Sequence, residues 1–159
     1  MSDAARDHPN VIAFPPLILA SALAVSWGLG VLLPLSLLPP AFSGIALVFG
    51  LADCALAAFI AISAILAFKR AGTHVEPHKP ALVLVEDGPY RFTRNPMYLG
   101  LLLLHLGVSF IFSLDWGLFV LPVLWVTLHR GVVLREEAYL TAKFGTPYVE
   151  FLSRTRRWI

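Results

Sequence analysis

From Val11 to Phe68 the chain carries one formally charged residue, Asp53. An apolar run of that length cannot cover the surface of a soluble domain, and it is too long to be a single core helix. Pro34, Pro39 and Pro40 interrupt it in a charge-free stretch and divide it into two helical spans, 14–33 and 42–68. Each is long enough, at about 1.5 Å per residue, to cross the hydrocarbon layer of a bilayer. Composition agrees: 58% of the 159 residues are hydrophobic, 14% are charged and the mean hydropathy is +0.77. One membrane domain, residues 1–159, is therefore expected.

The region 69–95 differs in kind, setting Lys69, Arg70, Lys79, Arg91 and Arg94 against Glu76, Glu86 and Asp87 among turn residues. It reads as an aqueous loop. Residues 96–113 and 116–129 are apolar again, parted at Ser113-Leu114-Asp115-Trp116-Gly117, which predicts a helical hairpin with short or tilted arms. The tail 130–159 is polar and holds six basic residues. By the positive-inside rule the loop, the tail and both termini face the cytoplasm, while the proline-rich connector and the Asp115 turn face outward. The fold class expected is all-α: four transmembrane helices with short cytoplasmic helices from loop and tail.

Other features bound the function. The net charge of +2 gives no indication of nucleic-acid binding. The single cysteine, Cys54, excludes an internal disulfide and reads as packing. Met1 to Asn10 contains Asp3, Arg6 and Asp7 where a cleaved signal would have a clean basic region, so the first span is expected to be retained. No metal site is expected: His74-Val75-Glu76-Pro77-His78 lacks the helical spacing of a zinc motif and reads as solvated loop. Asp53 and His105, inside spans, are candidates for a buried polar contact or a binding pocket. Trp27, Trp116, Trp125 and Trp158 suit interfacial belts or packing. Small residues such as Ala55, Ala57, Ala58 and Ala61 permit close helix approach.

Chemistry concentrates in two stretches. In the first, Asp87 to Gly100, Asn95 suits a helix N-cap and Pro96 the first helical position, so free N–H groups and a positive dipole end face the interface. Arg91 and Arg94 add forked donors, and Tyr90 and Tyr98 offer flat surfaces. In the second, Arg135-Glu136-Glu137 lies just past the fourth span. Adjacent glutamates differ in direction by about 100°, so one is expected to face a pocket while the other holds an arginine. Gly145 is expected to end this helix, and Thr146 to cap a new one with Pro147 in its first turn. That helix would share a face of Tyr148, Phe151, Leu152 and Thr155, turn Arg154, Arg156 and Arg157 elsewhere, and lie on anionic headgroups. His129 and Arg130 end the fourth span, and Arg130 is assigned to the pocket.

Gly88-Pro89-Tyr90, Arg94-Asn95-Pro96-Met97-Tyr98, Gly100, Arg135-Glu136-Glu137, Leu140, Phe144-Gly145 and Tyr148 together resemble the pattern of the isoprenylcysteine carboxyl methyltransferase and phospholipid methyltransferase group of membrane enzymes. The resemblance covers Ala71 to the end, and Asn95, where the eukaryotic carboxyl methyltransferases usually have histidine, is similar to the bacterial branch. What it implies is S-adenosylmethionine held between the tail and the start of the third span. Gly88, Pro89, Tyr90, Arg94, Asn95, Pro96, Tyr98, Gly100, Arg130, Glu136, Glu137 and Tyr148 would hold it, with Arg94, Glu136 and Glu137 as catalytic candidates. It also implies a lipidic or hydrophobic methyl acceptor, such as an isoprenylcysteine-like carboxylate or an aminolipid, and a bacterial inner membrane. Gly-x-Gly-x-x-Gly after a strand is absent, which excludes the soluble nucleotide-binding type. Two other readings stand beside this one: a membrane reductase using a nicotinamide cofactor, and a non-catalytic scaffold or transporter subunit.

Overall fold

A computed structural model describes residues 8–75 and 79–159. The expectations resting on Asp3, Arg6, Asp7, Glu76 and His78 lie outside those residues. Six α-helices follow in order: α1 (Pro15–Leu32), α2 (Gly44–Ala71), α3 (Pro96–Phe112), α4 (Asp115–Leu128), α5 (Leu134–Phe144) and α6 (Thr146–Arg154). A 3-10 turn, Gly88–Arg91, precedes α3, and a π-helical turn, His129–Val133, joins α4 to α5. Among the described residues there is no strand, only an isolated parallel bridge between Thr93 and Arg156.

Local chemistry sets the boundaries. Pro15 begins α1, where its missing N–H costs nothing. Ser43 caps α2 by accepting from Ala46 N at 3.3 Å. Gly72, at φ 71°, ends α2 in the left-handed conformation, just after Lys69 and Arg70, which suit the negative end of the helix dipole. The second span thus runs on to Ala71 and takes in two basic residues assigned to the loop. At the hairpin tip Ser113 itself adopts φ 51°, a conformation uncommon for a residue with a side chain.

Three helices are long and apolar enough to cross a membrane: α1, α2 and the continuous helix Asp115–Phe144. The third comprises α4, the π turn and α5, so the expected end at 129 is not a break. Its 30 residues span about 45 Å, well beyond the roughly 30 Å of hydrocarbon. The surplus lies at the end that begins with Arg130 and carries Arg135, Glu136 and Glu137, which places α5 beyond the crossing. The fourth apolar helix, α3, is shorter, at Pro96–Phe112.

α3 is the hub, packing on α2, α4 and α1, while α1 also packs along α4. The α2–α3 contact is close to backbone distance. A Cβ added at Gly107 would stand 2.7 Å from both Cys54 Sγ and Gly50 O, and one at Gly100 would stand 3.3 Å from Ala57 O. Ala57 is buried there, as expected of the small residues of α2, but Ala55 and Ala58 are exposed. Outward faces carry large apolar side chains in the open, Trp27 at 64% and Phe59 at 69% exposure among them, as lipid contact requires.

The two rims of the bundle are tied differently. At one, Asp115 Oδ1 accepts from Leu37 N at 2.8 Å and Leu38 N at 2.7 Å, Trp116 Nε1 donates to Leu33 O at 2.7 Å, and Ser113 Oγ donates to Pro39 O. The hairpin tip thereby grips the proline-rich connector. At the other rim the tail folds back onto the bundle. Thr146 does not cap α6: Gly145, at φ 61°, occupies that position and Thr146 is already helical. Nor does α6 present its apolar face to headgroups. Tyr148 and Phe151 pack with Ala64, Ala67, Val85 and Tyr90, so that face covers α2 and the 3-10 turn.

Candidate active site

Under this folded tail lies a cleft that is partly open to solvent. The end of α2, the strap 79–85, the start of α3, the first turns of α5 and the buried face of α6 form its walls. Phe68, Tyr90, Tyr148 and Phe151 supply rings, with Phe68 and Tyr90 5.3 Å apart between centroids. The polar end holds Arg94, Asn95, Tyr98, Glu136 and Glu137.

The two adjacent glutamates take separate roles, as their divergence on the helix predicts. Glu137 is buried in a cluster of two guanidinium groups: Arg157 Nη2 lies 2.8 Å from Oε2 and Arg94 Nη1 lies 3.4 Å from Oε1. Glu136 has no such partner among the described residues; its Oε1 accepts from Tyr98 Oη at 2.6 Å. Withdrawal from water pushes the Glu136 carboxyl up to about 7, and the neighbouring Glu137 pushes the same way, while the Tyr98 hydrogen bond opposes them. Burial, and then the charge of Glu136, raises the Tyr90 phenol. The Tyr148 phenol is raised by burial first and then by Glu137. The Arg157 guanidinium is raised by its hydrogen bonds to Glu137.

Asn95 stands at the N-cap of α3 without capping it. Its Nδ2 donates instead to Arg157 O at 2.8 Å, and its backbone N–H donates to Thr93 Oγ1 at 3.2 Å. Pro96 has no N–H to offer, so the first turn of α3 keeps uncapped donors at the rim of the cleft. Two side-chain atoms buried there, Tyr90 Oη and Arg94 Nε, have no hydrogen-bond partner among the described residues. Unmet buried donors beside an unpaired carboxylate are what a polar ligand would satisfy.

Of the residues named from sequence, Tyr90, Arg94, Asn95, Tyr98, Glu136, Glu137 and Tyr148 come together in the cleft. Gly88, Pro89, Pro96, Gly100 and Arg130 do not line it. Gly88, at φ 62°, shapes the 3-10 turn, Pro96 is fully buried at the helix start, and Gly100 admits α2. Arg130 is exposed on the π turn. Asp53 and His105 are elsewhere too; His105 is buried mid-bundle with Nε2 3.1 Å from Gly117 O. Sequence reading missed Arg157, which it turns away from the apolar face of a helix on anionic headgroups, and the strap whose Ala81 N–H donates to Tyr139 Oη at 3.1 Å. An arginine in an arginine-rich tail carries no periodic mark that would single it out.

The phospholipid methyltransferase family model matches residues 45–147. The chain belongs to that family. No curated protein matches it. For a phospholipid methyltransferase family member the match reaches further back than the motif resemblance did, taking in nearly all of α2. It also ends just before Tyr148, so Phe151 and Arg157 lie past the matched stretch. The chain is thus a membrane protein of a methyltransferase family, with the cleft formed where α2, α3 and α5 meet the tail.

Proposed function

We propose that the protein is an S-adenosylmethionine-dependent methyltransferase acting on a lipidic or hydrophobic acceptor at the cytoplasmic face of a bacterial inner membrane. In this reading α3 is a fourth crossing, the whole chain is one membrane domain, and both termini and the cleft are cytoplasmic. The distribution of lysine and arginine supports that orientation. The single observation that carries the reading is the Glu136 carboxylate, which lines a ring-walled cleft together with Arg94 and has no ion-pair partner among the described residues.

The residues present fit the cofactor's groups. Arg94 and the first turn of α3 would receive its carboxylate. Glu136 would receive its positive charge, and Tyr90, Tyr148 and Phe68 would pack on its adenine. When bound, the cofactor supplies a methyl group on a positively charged sulfur, already activated for in-line displacement. The protein's part is then to orient and to exclude water. The α6 face and the strap roof the cleft, and Tyr98 holds the Glu136 carboxylate in one direction through its 2.6 Å hydrogen bond. Glu136 is also placed to accept a proton from an amine acceptor, whereas a carboxylate acceptor would need no base. The acceptor would arrive from the bilayer and the cofactor from the cytoplasm.

Calorimetric titration of the detergent-purified protein with S-adenosylmethionine tests this. Micromolar binding, about −8 kcal/mol, that is lost in Arg94→Ala and Glu136→Ala is the expected result. No binding by folded protein would defeat the reading, and titration with a nicotinamide cofactor would then separate a reductase from a scaffold.

A further inference from the structure

Beyond α6 the chain returns to the start of α3 and closes the polar end of the cleft. Arg94 N donates to Arg156 O at 2.9 Å, while Thr93 Oγ1 and Asn95 Nδ2 donate to Arg157 O at 3.2 and 2.8 Å. From this anchored backbone the Arg157 side chain crosses to α5. Its Nε lies 3.0 and 3.2 Å from the two oxygens of Glu137, and its Nη2 lies 2.8 Å from Oε2. The same carboxylate has Arg94 as its second neighbour, with a single, longer contact of 3.4 Å.

An arginine with one buried carboxylate beside it ordinarily lays its fork on both oxygens and is neutralised. Arg94 has not done so. Both oxygens of Glu137 are engaged by Arg157, the Arg94 Nε is buried without a partner, and Arg94 lines the cleft. We infer that Arg157 is a positioning residue: by taking up Glu137 through a two-pronged pair, it leaves Arg94 with unused donors and net positive charge for the anionic group of the ligand. Two guanidinium groups against one carboxylate give the cluster a formal excess of one positive charge. Without Arg157 that excess vanishes, and Arg94 turns onto Glu137. The inference rests on the cofactor reading above, in which the anionic group is a carboxylate.

A plain structural latch would serve every ligand of the cleft alike, whereas charge kept on Arg94 serves only a ligand with an anionic group. The test titrates the full chain with S-adenosylmethionine and with its decarboxylated form, which keeps the nucleoside, sulfonium and amine. The variants are Arg157→Gln, Arg157→Lys and, as a control, Arg154→Gln, whose partner Glu86 lies outside the cleft. Arg157→Gln is expected to weaken S-adenosylmethionine about tenfold and to leave the decarboxylated form unchanged. Lysine, keeping charge but not the fork, recovers part of the loss, and Arg154→Gln alters neither affinity. Equal weakening of both ligands, or of neither, overturns the inference. Should Arg157→Gln not fold, the ratio of the two affinities in Arg157→Lys decides in the same way, an unchanged ratio counting against it. A wild-type protein that binds neither ligand overturns the cofactor reading itself, and this inference with it, a result distinct from all the others.

Discussion

At the scale of single residues, Glu136 is the most consequential group in the cleft because it is a carboxylate with no ion-pair partner among the described residues. Glu136→Gln keeps its shape and its place beside Tyr98 but cannot meet a cation, so cofactor affinity is expected to fall by about 2 kcal/mol, roughly thirtyfold. The sign of the pH effect follows from its raised value of about 7. A cationic ligand selects the ionised form, so binding strengthens as pH rises through 7. It weakens by about 20-fold between pH 8 and pH 5, approaching the loss expected of Glu136→Gln, in which the dependence disappears. Calorimetry in buffers of different ionisation enthalpy checks it directly, since binding near pH 6 must release a proton. The glutamate pair was legible in sequence as two residues with diverging roles, because helix geometry alone forbids them from sharing one direction. Which of them held the arginine was not legible. That depends on Arg157, twenty residues away in sequence, and only the folded tail brings it there.

At the scale of elements, charge placement and prolines marked four apolar segments, and the helices fall on them within a few residues. What they could not mark is the π-helical turn His129–Val133. It hides inside one unbroken helix, and its extra residue changes which way everything beyond it points. Inserting one alanine between Leu134 and Arg135, just past the turn, would rotate Glu136 and Glu137 by about 100° away from Tyr98 and Arg157. Cofactor binding is expected to be lost with helix content by circular dichroism retained; binding that survived would show the direction of the two glutamates to be incidental. The α2–α3 contact makes a second prediction at this scale. Gly107→Leu drives a side chain into Cys54 and the Gly50 backbone and is expected to cost about 1–3 kcal/mol. Gly28→Leu, with nothing within 4 Å, is expected to be tolerated. Thermal unfolding in detergent, followed by tryptophan fluorescence, compares them. Asn95 shows the limit of local rules: the residue type suits a cap, yet its side chain goes to Arg157 because the tail offers a carbonyl there.

Across the whole molecule, the two rims divide stability from chemistry. Asp115 and Glu136 are 21 positions apart on one helix, about 31 Å, and Asp115 holds the connector at Leu37 and Leu38. Asp115→Ala would leave two backbone donors without their acceptor and is expected to destabilise the fold by about 2 kcal/mol. Asp115→Asn, retaining an acceptor oxygen, should cost less. Cofactor affinity measured well below the melting temperature should be the same in both; a loss there would mean that the rims are coupled. The bundle's shape carries one more consequence. Where Gly50 meets Gly107 and Ala57 meets Gly100, the seam between α2 and α3 is shut at backbone distance, with no width for a hydrocarbon tail to slip through. A greasy molecule making its way to the cleft from within the bilayer must therefore come round by another flank of the bundle. Crosslinks sealing this seam would leave its traffic undisturbed.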